Sequence, residues 1–227
     1  NALTMLSYAL ALFAGIACSL VGVVIVTMRL AFLGVCMSHA AFAGALLGLV
    51  LGVPPLATAL AASILAAGVL GPLSDRGEVS PDTAVGLVFS SSLGVGFLLL
   101  SLIPGSRAEA LSILWGSILS VTRGDVAALA AVAAAVVVAL LLFFKEVQAV
   151  VFDRELAAAV GVPATAVFYG LLMASGMAIT ASLQSVGGLL VFSLAVNPAA
   201  AAYQWTYSLR AMFLLAALLG VLSGWIG

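Results

Sequence analysis

Apolar runs of membrane-crossing length dominate this chain and leave it few ways to fold. Eight can be drawn, at about Leu3–Thr27, Leu30–Val53, Pro55–Leu73, Thr83–Leu102, Asp125–Phe144, Ala164–Ala181, Val186–Ala202 and Leu209–Ile226. Most reach the roughly 17–25 residues that a helix needs to cross a bilayer. Hydrophobic residues make up 65% of the sequence and charged residues only 7%. A water-soluble protein could not conceal that much apolar surface, because its outer layer must still meet water. The expectation is an all-α polytopic membrane protein, one transmembrane domain over residues 1–227 embedded in the lipid bilayer.

The gaps between runs carry the punctuation. Pro54-Pro55, the polar loop Ser74–Asp82, Pro104-Gly105 and the polar stretch Lys145–Glu155 mark breaks. Leu111–Ser120 is too short to cross and reads as an interfacial or re-entrant piece. The sequence opens with Asn1 rather than Met, as a processed or trimmed chain does. Residues 3–27 are too long for a signal peptide and lack its basic start, so they read as a true span.

Charge excludes several function classes. The formal net charge is −1, and the 7 Lys and Arg are scattered. No run of alternating basic and aromatic residues offers a groove for nucleic acid. Cys18 and Cys36 both fall inside apolar runs and imply no disulfide framework. Strict alternation of spans puts Arg29, Arg76, Lys145, Arg154 and Arg210 on one side and Arg107 and Arg123 on the other. The positive-inside rule makes the first side cytoplasmic, with Asn1 and Gly227 both outside. By the same parity the sixth span runs opposite to the first. Spans six to eight then begin an inverted copy of the first four, a plan common in transporters whose site lies at the repeat interface.

His39 is the single histidine, and it interrupts the second apolar run. Counted from Arg29 it lies about 15 Å along a helix, half of a hydrocarbon core about 30 Å thick. Polar groups at that depth face a pathway, a cavity or a partner. Cys36 precedes it by three residues and Val35 by four, both near the same helical face. Imidazole and thiolate are good ligands for Zn²⁺ and related ions. Two ligands do not make a tight site, which suits a permease, since the ion must also leave. The alternative is a neutral histidine bonded to a carbonyl of another helix, with Cys36 as an apolar filler.

Asn197-Pro198 is a second interruption, again near mid-depth. Pro198 frees a carbonyl one turn earlier, and Asn197 can offer its oxygen to a cation or bond across helices. A kinked helix with Asn197 as interhelical glue is the reading these two residues favour on their own. In the inverted-repeat plan spans two and seven are counterparts, which brings His39 and Asn197 towards one axis.

The stretch from Phe152 to Pro163 reads as a short helix. Asp153 is placed to cap its start, Glu155 sits in its first turn, and Gly161 and Pro163 stop it. Such a helix suits docking on a partner, or serves as a connector on the membrane surface. Asp82 and Asp125 each open a span as caps, and Glu146 sits solvated at a span end. Gly15, Gly22, Gly44 and Gly48 are small residues that allow helices to approach closely.

These residues resemble a known family. Arg29, Leu33-Gly34 and Ser38-His39-Ala40 up to Gly44 are similar to a pattern of arginine, an LG pair and D-x-L-S-H-A followed by P-G. Val186-Gly187-Gly188-Leu189-Leu190-Val191 with Asn197-Pro198-Ala199-Ala200-Ala201-Ala202 resembles VG-x-LLV…PAATA. Phe152-Asp153-x-Glu155-x-Ala157 up to Gly161 resembles F-D-x-E-x-A…G, and Pro81-Asp82-Thr83-Ala84-Val85-Gly86 resembles E-D-T-A-I-G. The family is the ABC-3 group, membrane permeases of ATP-binding-cassette importers for zinc and manganese, and the correspondence runs in order over nearly all of residues 5–226.

The resemblance implies an inverted-repeat ABC importer permease in a prokaryotic cell membrane. It implies a dimer with a second permease copy, two cytoplasmic ATP-binding subunits and an extracytoplasmic metal-binding protein. Its S-H-A motif places Ser38 beside His39 in the pathway; Cys36 and Asn197, read from their own spacing and depth, complete the candidate set. It makes Phe152, Asp153, Glu155 and Gly161, within a cytoplasmic loop over 145–163, the coupling helix on the ATPase. It also implies a last helix that this sequence does not contain. Three positions depart from the pattern: Val35 stands for the aspartate, Ala43 for the proline before Gly44, and Asn197 for an aliphatic residue. Either Cys36 and Asn197 replace the lost ligand, or the cargo is a different metal or a complexed one.

The reading is a permease that passes zinc or manganese, possibly iron, inward on a partner's ATP hydrolysis, with no catalytic residues and no cofactor beyond the transported ion. The chain has no G-x-x-x-x-G-K-[ST] sequence, so it is not the motor and not an enzyme. A metal-chelate permease is the nearest alternative. An ion-gradient-driven secondary transporter would need Asp or Glu inside a span, and a non-transporting scaffold would leave His39 without a role.

Overall fold

The computed structural model describes residues 2–30, 32–75, 79–103, 116 and 122–226. Its elements are α1 (Ala2–Thr27), α2 (Leu33–Leu51), α3 (Pro55–Asp75), α4 (Pro81–Leu102), α5 (Arg123–Leu142), α6 (Phe144–Phe152), α7 (Arg154–Ala159), α8 (Ala164–Val186), α9 (Gly188–Trp205) and α10 (Leu209–Ile226). Seven of them are long and apolar enough to cross a membrane. The eighth long helix is α9, 18 residues diluted by Asn197, Pro198 and Gln204. Arg76, Arg107 and, apart from Gly116, the piece Leu111–Ser120 lie outside the described residues.

Helix ends follow local chemistry and refine several boundaries. Ser80, rather than Asp82, caps α4 by accepting from the Thr83 amide, and Asp82 sits in the first turn where a negative charge meets the helix dipole. Thr122 caps α5, and Asp125 at N3 bonds back to the Thr122 amide to complete a capping box. The polar stretch after span five is largely helical. A break at Phe143 separates α5 from α6, and Val147 and Val150, three residues apart, hold α6 to the bundle by burial. Glu146 is therefore half-buried at the α5–α6 junction rather than freely solvated.

Among the seven apolar helices, three are mostly buried. In α1, α2 and α8, 67%, 72% and 61% of a membrane-length window is buried, against 28% or less in α3, α4, α5 and α10. Small residues bring these helices together. Gly44 and Gly48 of α2 lie against Thr58 and Ala59 of α3, Gly15 of α1 lies against Gly220 of α10, and Gly22 meets Ala195 of α9. Hydroxyls join the same layers. Cys18 Sγ stands 3.3 Å from Ser182 Oγ between α1 and α8, and Ser63 of α3 bonds Thr180 of α8.

The packing carries the inverted plan that parity requires. Cys18 meets Ser182 while Val21 and Val24 share a cavity wall with Leu171 and Ala174, so α8 runs opposite to α1. Helix α1 packs on α9 and α10, and α8 packs on α2 and α3; α2 pairs with α3 as α9 pairs with α10. Exchanging α1–α2–α3 with α8–α9–α10 preserves these neighbours. Helix α4 covers α2, and the corresponding face of α9 carries exposed Leu190 and Asn197.

Charge segregates as alternation demands. The Tyr8 ring meets Trp225 edge to face at 6.5 Å, and the indole donates to the Tyr8 carbonyl at 3.3 Å, which sets α1 antiparallel to α10. Arg29 at the end of α1 and Arg210 at the start of α10 thus share one end of the bundle. Arg210 stacks on Phe144, next to Lys145, and Arg154 follows at the start of α7. Arg123 opens α5 at the opposite end.

Candidate functional site

Helix α2 begins later than its apolar run does. Arg29 takes a left-handed conformation at φ 58°, which ends α1, and regular helix resumes only at Leu33. His39 therefore sits six residues into α2, about 9 Å along its axis rather than about 15 Å.

The His39 ring is fixed by two contacts. Its Nδ1 lies 2.9 Å from the carbonyl oxygen of Val35, one turn earlier in the same helix rather than on another one. A carbonyl only accepts, so the neutral ring carries its proton on Nδ1 and presents Nε2 as a lone-pair nitrogen. Phe89 of α4 meets the ring edge to face at 4.9 Å and 81°. His39 is half-buried, as is Val35 on the same face.

The neighbouring candidates are placed differently. Cys36 is fully enclosed in the main core. Ser38 is buried, and its hydroxyl donates to the Gly34 carbonyl at 2.9 Å. The spacing in sequence puts Val35, Cys36 and His39 near one face; Cys36 is fully buried whereas Val35 and His39 are half-buried. Among the described residues, no group of three or more His, Cys, Asp or Glu comes together. The only lone-pair nitrogen offered by α2 is that of His39.

Asn197 lies on the exposed side of α9, donating from Nδ2 to Ser193 Oγ at 2.8 Å. This leaves its Oδ1 as an acceptor. Pro198 inside the helix leaves the Leu194 carbonyl without its helical donor. Helices α2 and α9 touch where Gly34 faces Phe192; a Cβ at Gly34 would stand 3.0 Å from that ring. His39 and Asn197 each spend a hydrogen bond within their own helix, His39 turned to α4 and Asn197 outward. Sequence reasoning missed Phe89 and Ser193. The i, i+4 spacing of Ser193 and Asn197 was readable in advance, whereas nothing near Phe89 marks it.

The segment after α6 forms as its caps dictate. Asp153 accepts from the Leu156 amide at 2.9 Å and starts α7. Gly161 at φ 88° stops it, and the Val162 amide returns to the Ala157 carbonyl. Arg154 anchors the piece, its guanidinium 4.3 Å over the Phe168 ring and 3.3 Å from Thr165 Oγ1. Only Ala157 turns inward. Phe152, Leu156 and Val160 are 83%, 55% and 70% exposed, an apolar ridge flanked by the exposed Glu155.

Comparisons with known proteins place this geometry. The manganese transport system membrane protein MntC of Halalkalibacterium halodurans is 30% identical over 217 residues, covering 96% of this chain and 74% of that protein. The manganese import system permease protein ScaB of Streptococcus gordonii is 30% identical over 92% of this chain and 75% of its own length. The structure of PsaBC from Streptococcus pneumoniae in complex with Fab superposes with a TM-score of 0.84 at 29% identity, over 97% of this chain and 79% of that one. The model of the ABC 3 transport family matches residues 2–227, and the chain belongs to that family.

Proposed function

We propose that this chain is the membrane subunit through which a divalent transition-metal ion, manganese or zinc, enters a prokaryotic cell, driven by ATP hydrolysis in a partner. The observation that carries the reading is His39. It is a half-buried imidazole whose Nδ1–H is tied to the Val35 carbonyl, so that Nε2 is offered as a ligand. One nitrogen binds a passing ion without trapping it. Asn197 Oδ1 and the freed Leu194 carbonyl supply harder oxygen donors on α9. Ser38 and Cys36 hold α2 in shape behind the imidazole, and a second copy of the chain completes the pathway.

The apolar ridge Phe152–Leu156–Val160, with Asp153 and Gly161 setting its ends and Glu155 at its side, suits a groove on a cytoplasmic ATP-binding subunit, one per permease copy. Five basic residues predicted on one side of the bundle make that side cytoplasmic. A metal-binding protein then delivers cargo from the other side.

The test uses the intact complex in proteoliposomes. His39→Ala should abolish ATP-driven manganese and zinc uptake while the ATPase still co-purifies and hydrolyses ATP. Uptake at the parental rate would remove His39 from the pathway.

A further inference from the structure

A groove unrelated to the His39 face opens between α1, α5 and α10, with a volume of about 780 Å³. Its walls are Ile16 and Leu20 of α1, Leu141 of α5 and Leu214 and Ala217 of α10. Leu141 and Leu214, both 72% exposed, form its lips. From Arg210 to Ala217 the groove runs about 10 Å along α10.

Charge is gathered at one end only. Among the described residues, Lys145 and Arg210 both line the groove, and Glu146 is the one acidic residue that does. Two cations and one carboxylate leave one positive charge to be met. Arg210 is held in place, its guanidinium 5.2 Å over the Phe144 ring, which packs edge to face on Phe213 at 6.3 Å. Its fork of N–H donors suits phosphate oxygens, and Lys145 adds a second donor. Apolar walls that end in a clamp of two basic side chains match a phospholipid with an anionic headgroup.

We propose that this groove binds one anionic phospholipid, its phosphate between Lys145 and Arg210 and an acyl chain along Leu20, Leu141 and Leu214. The lipid links α10 to the α5–α6 junction. It neutralises the clamp at a place where a neutral headgroup would leave it unmatched.

Native mass spectrometry of the intact complex, offered equal amounts of phosphatidylglycerol and phosphatidylcholine with identical chains, reads the site directly. Phosphatidylglycerol should be retained in preference. Arg210→Ala and Lys145→Ala should each lower that retention about fivefold, the effect of removing one basic residue near an anionic lipid. Arg210→Lys should keep most of it. Leu214→Trp fills the groove and should expel the lipid with both cations intact. Equal retention of the two lipids, or parental retention in both Arg210→Ala and Leu214→Trp, overturns the proposal. So does displacement of the lipid by millimolar inorganic phosphate, which would mark a site for the free anion. Efficient disulfide cross-linking of Leu214→Cys between two copies would instead assign the groove to a protein interface. Lipid retention is scored without metal, so it can fail while uptake succeeds, and the reverse.

Discussion

Gly22 of α1 lies so close to Ala195 of α9 that a Cβ placed on it would stand 1.8 Å from the Ala195 carbonyl oxygen. The obstacle is backbone, which cannot swing aside as a side chain can. Gly22→Ala should therefore push α1 from α9 and cost about 1–3 kcal/mol, the usual penalty for overpacking. Gly94 in α4 has open space around its Cα, so Gly94→Ala should be neutral or slightly stabilising. Thermal unfolding of both variants in the same detergent checks the contrast; equal melting temperatures would mean that this crossing tolerates separation.

Asp153 makes a local contact with a remote consequence. Its carboxylate satisfies the Leu156 amide, and Leu156 is central to the exposed ridge. Asp153→Ala should destabilise α7 by about 0.5–2 kcal/mol. Basal hydrolysis by the ATP-binding subunit should persist while its stimulation by the permease falls, and Asp153→Asn should retain coupling. Glu155→Lys leaves the cap intact and should uncouple through charge alone. Titrating stimulated ATPase activity against permease concentration measures both effects. Unchanged stimulation in Glu155→Lys would remove that side chain from the contact.

Much of the fold was readable because its signals are local or periodic. The number and order of the long helices, the reversed direction of the sixth span, the Asp153 cap, the Gly161 stop and the four close-packing glycines all follow from residue type and spacing. What escaped depends on contacts across the bundle. The thiol of Cys36 is three residues from His39, yet packing turns it into the core. The imidazole bonds its own helix because Val35 offers a carbonyl at the right turn, a geometry unavailable until the start of α2 at Leu33 is known. The partner ring Phe89 comes from α4, fifty residues on, and no motif marks it. Helix α6 was hidden because its polar residues outnumber the two valines that bury it.

Phe89 orients the imidazole without offering a ligand. Phe89→Leu keeps apolar volume and removes the edge-to-face contact, worth about 0.5–1.5 kcal/mol. The His39 ring should then sample other rotamers, and uptake should show a KM raised severalfold with little change in maximal rate. A proteoliposome uptake series over metal concentration separates the two parameters. A fall in maximal rate with constant KM would mean that Phe89 acts on the conformational cycle instead.

Val35 gives the sharpest test of the site's chemistry. It shares the half-buried face of α2 with His39 and lies one turn before it. A carboxylate there would sit within reach of a cation held at Nε2. Buried without a cation, it would be costly. Both effects point the same way: Val35→Asp should gain stability when metal is supplied and lose it when metal is chelated. Affinity should rise at least about tenfold, the lower range contributed by a partner to a ligating histidine. Release should slow correspondingly, so uptake at saturating metal should fall. Metal-dependent melting temperature and saturating uptake rate, measured on the same preparation, report the two halves. In Val35→Asp/His39→Ala the metal-dependent stabilisation should shrink sharply. If it survives at full size, the carboxylate binds without the imidazole, and His39 is not the ligand this helix was folded to present.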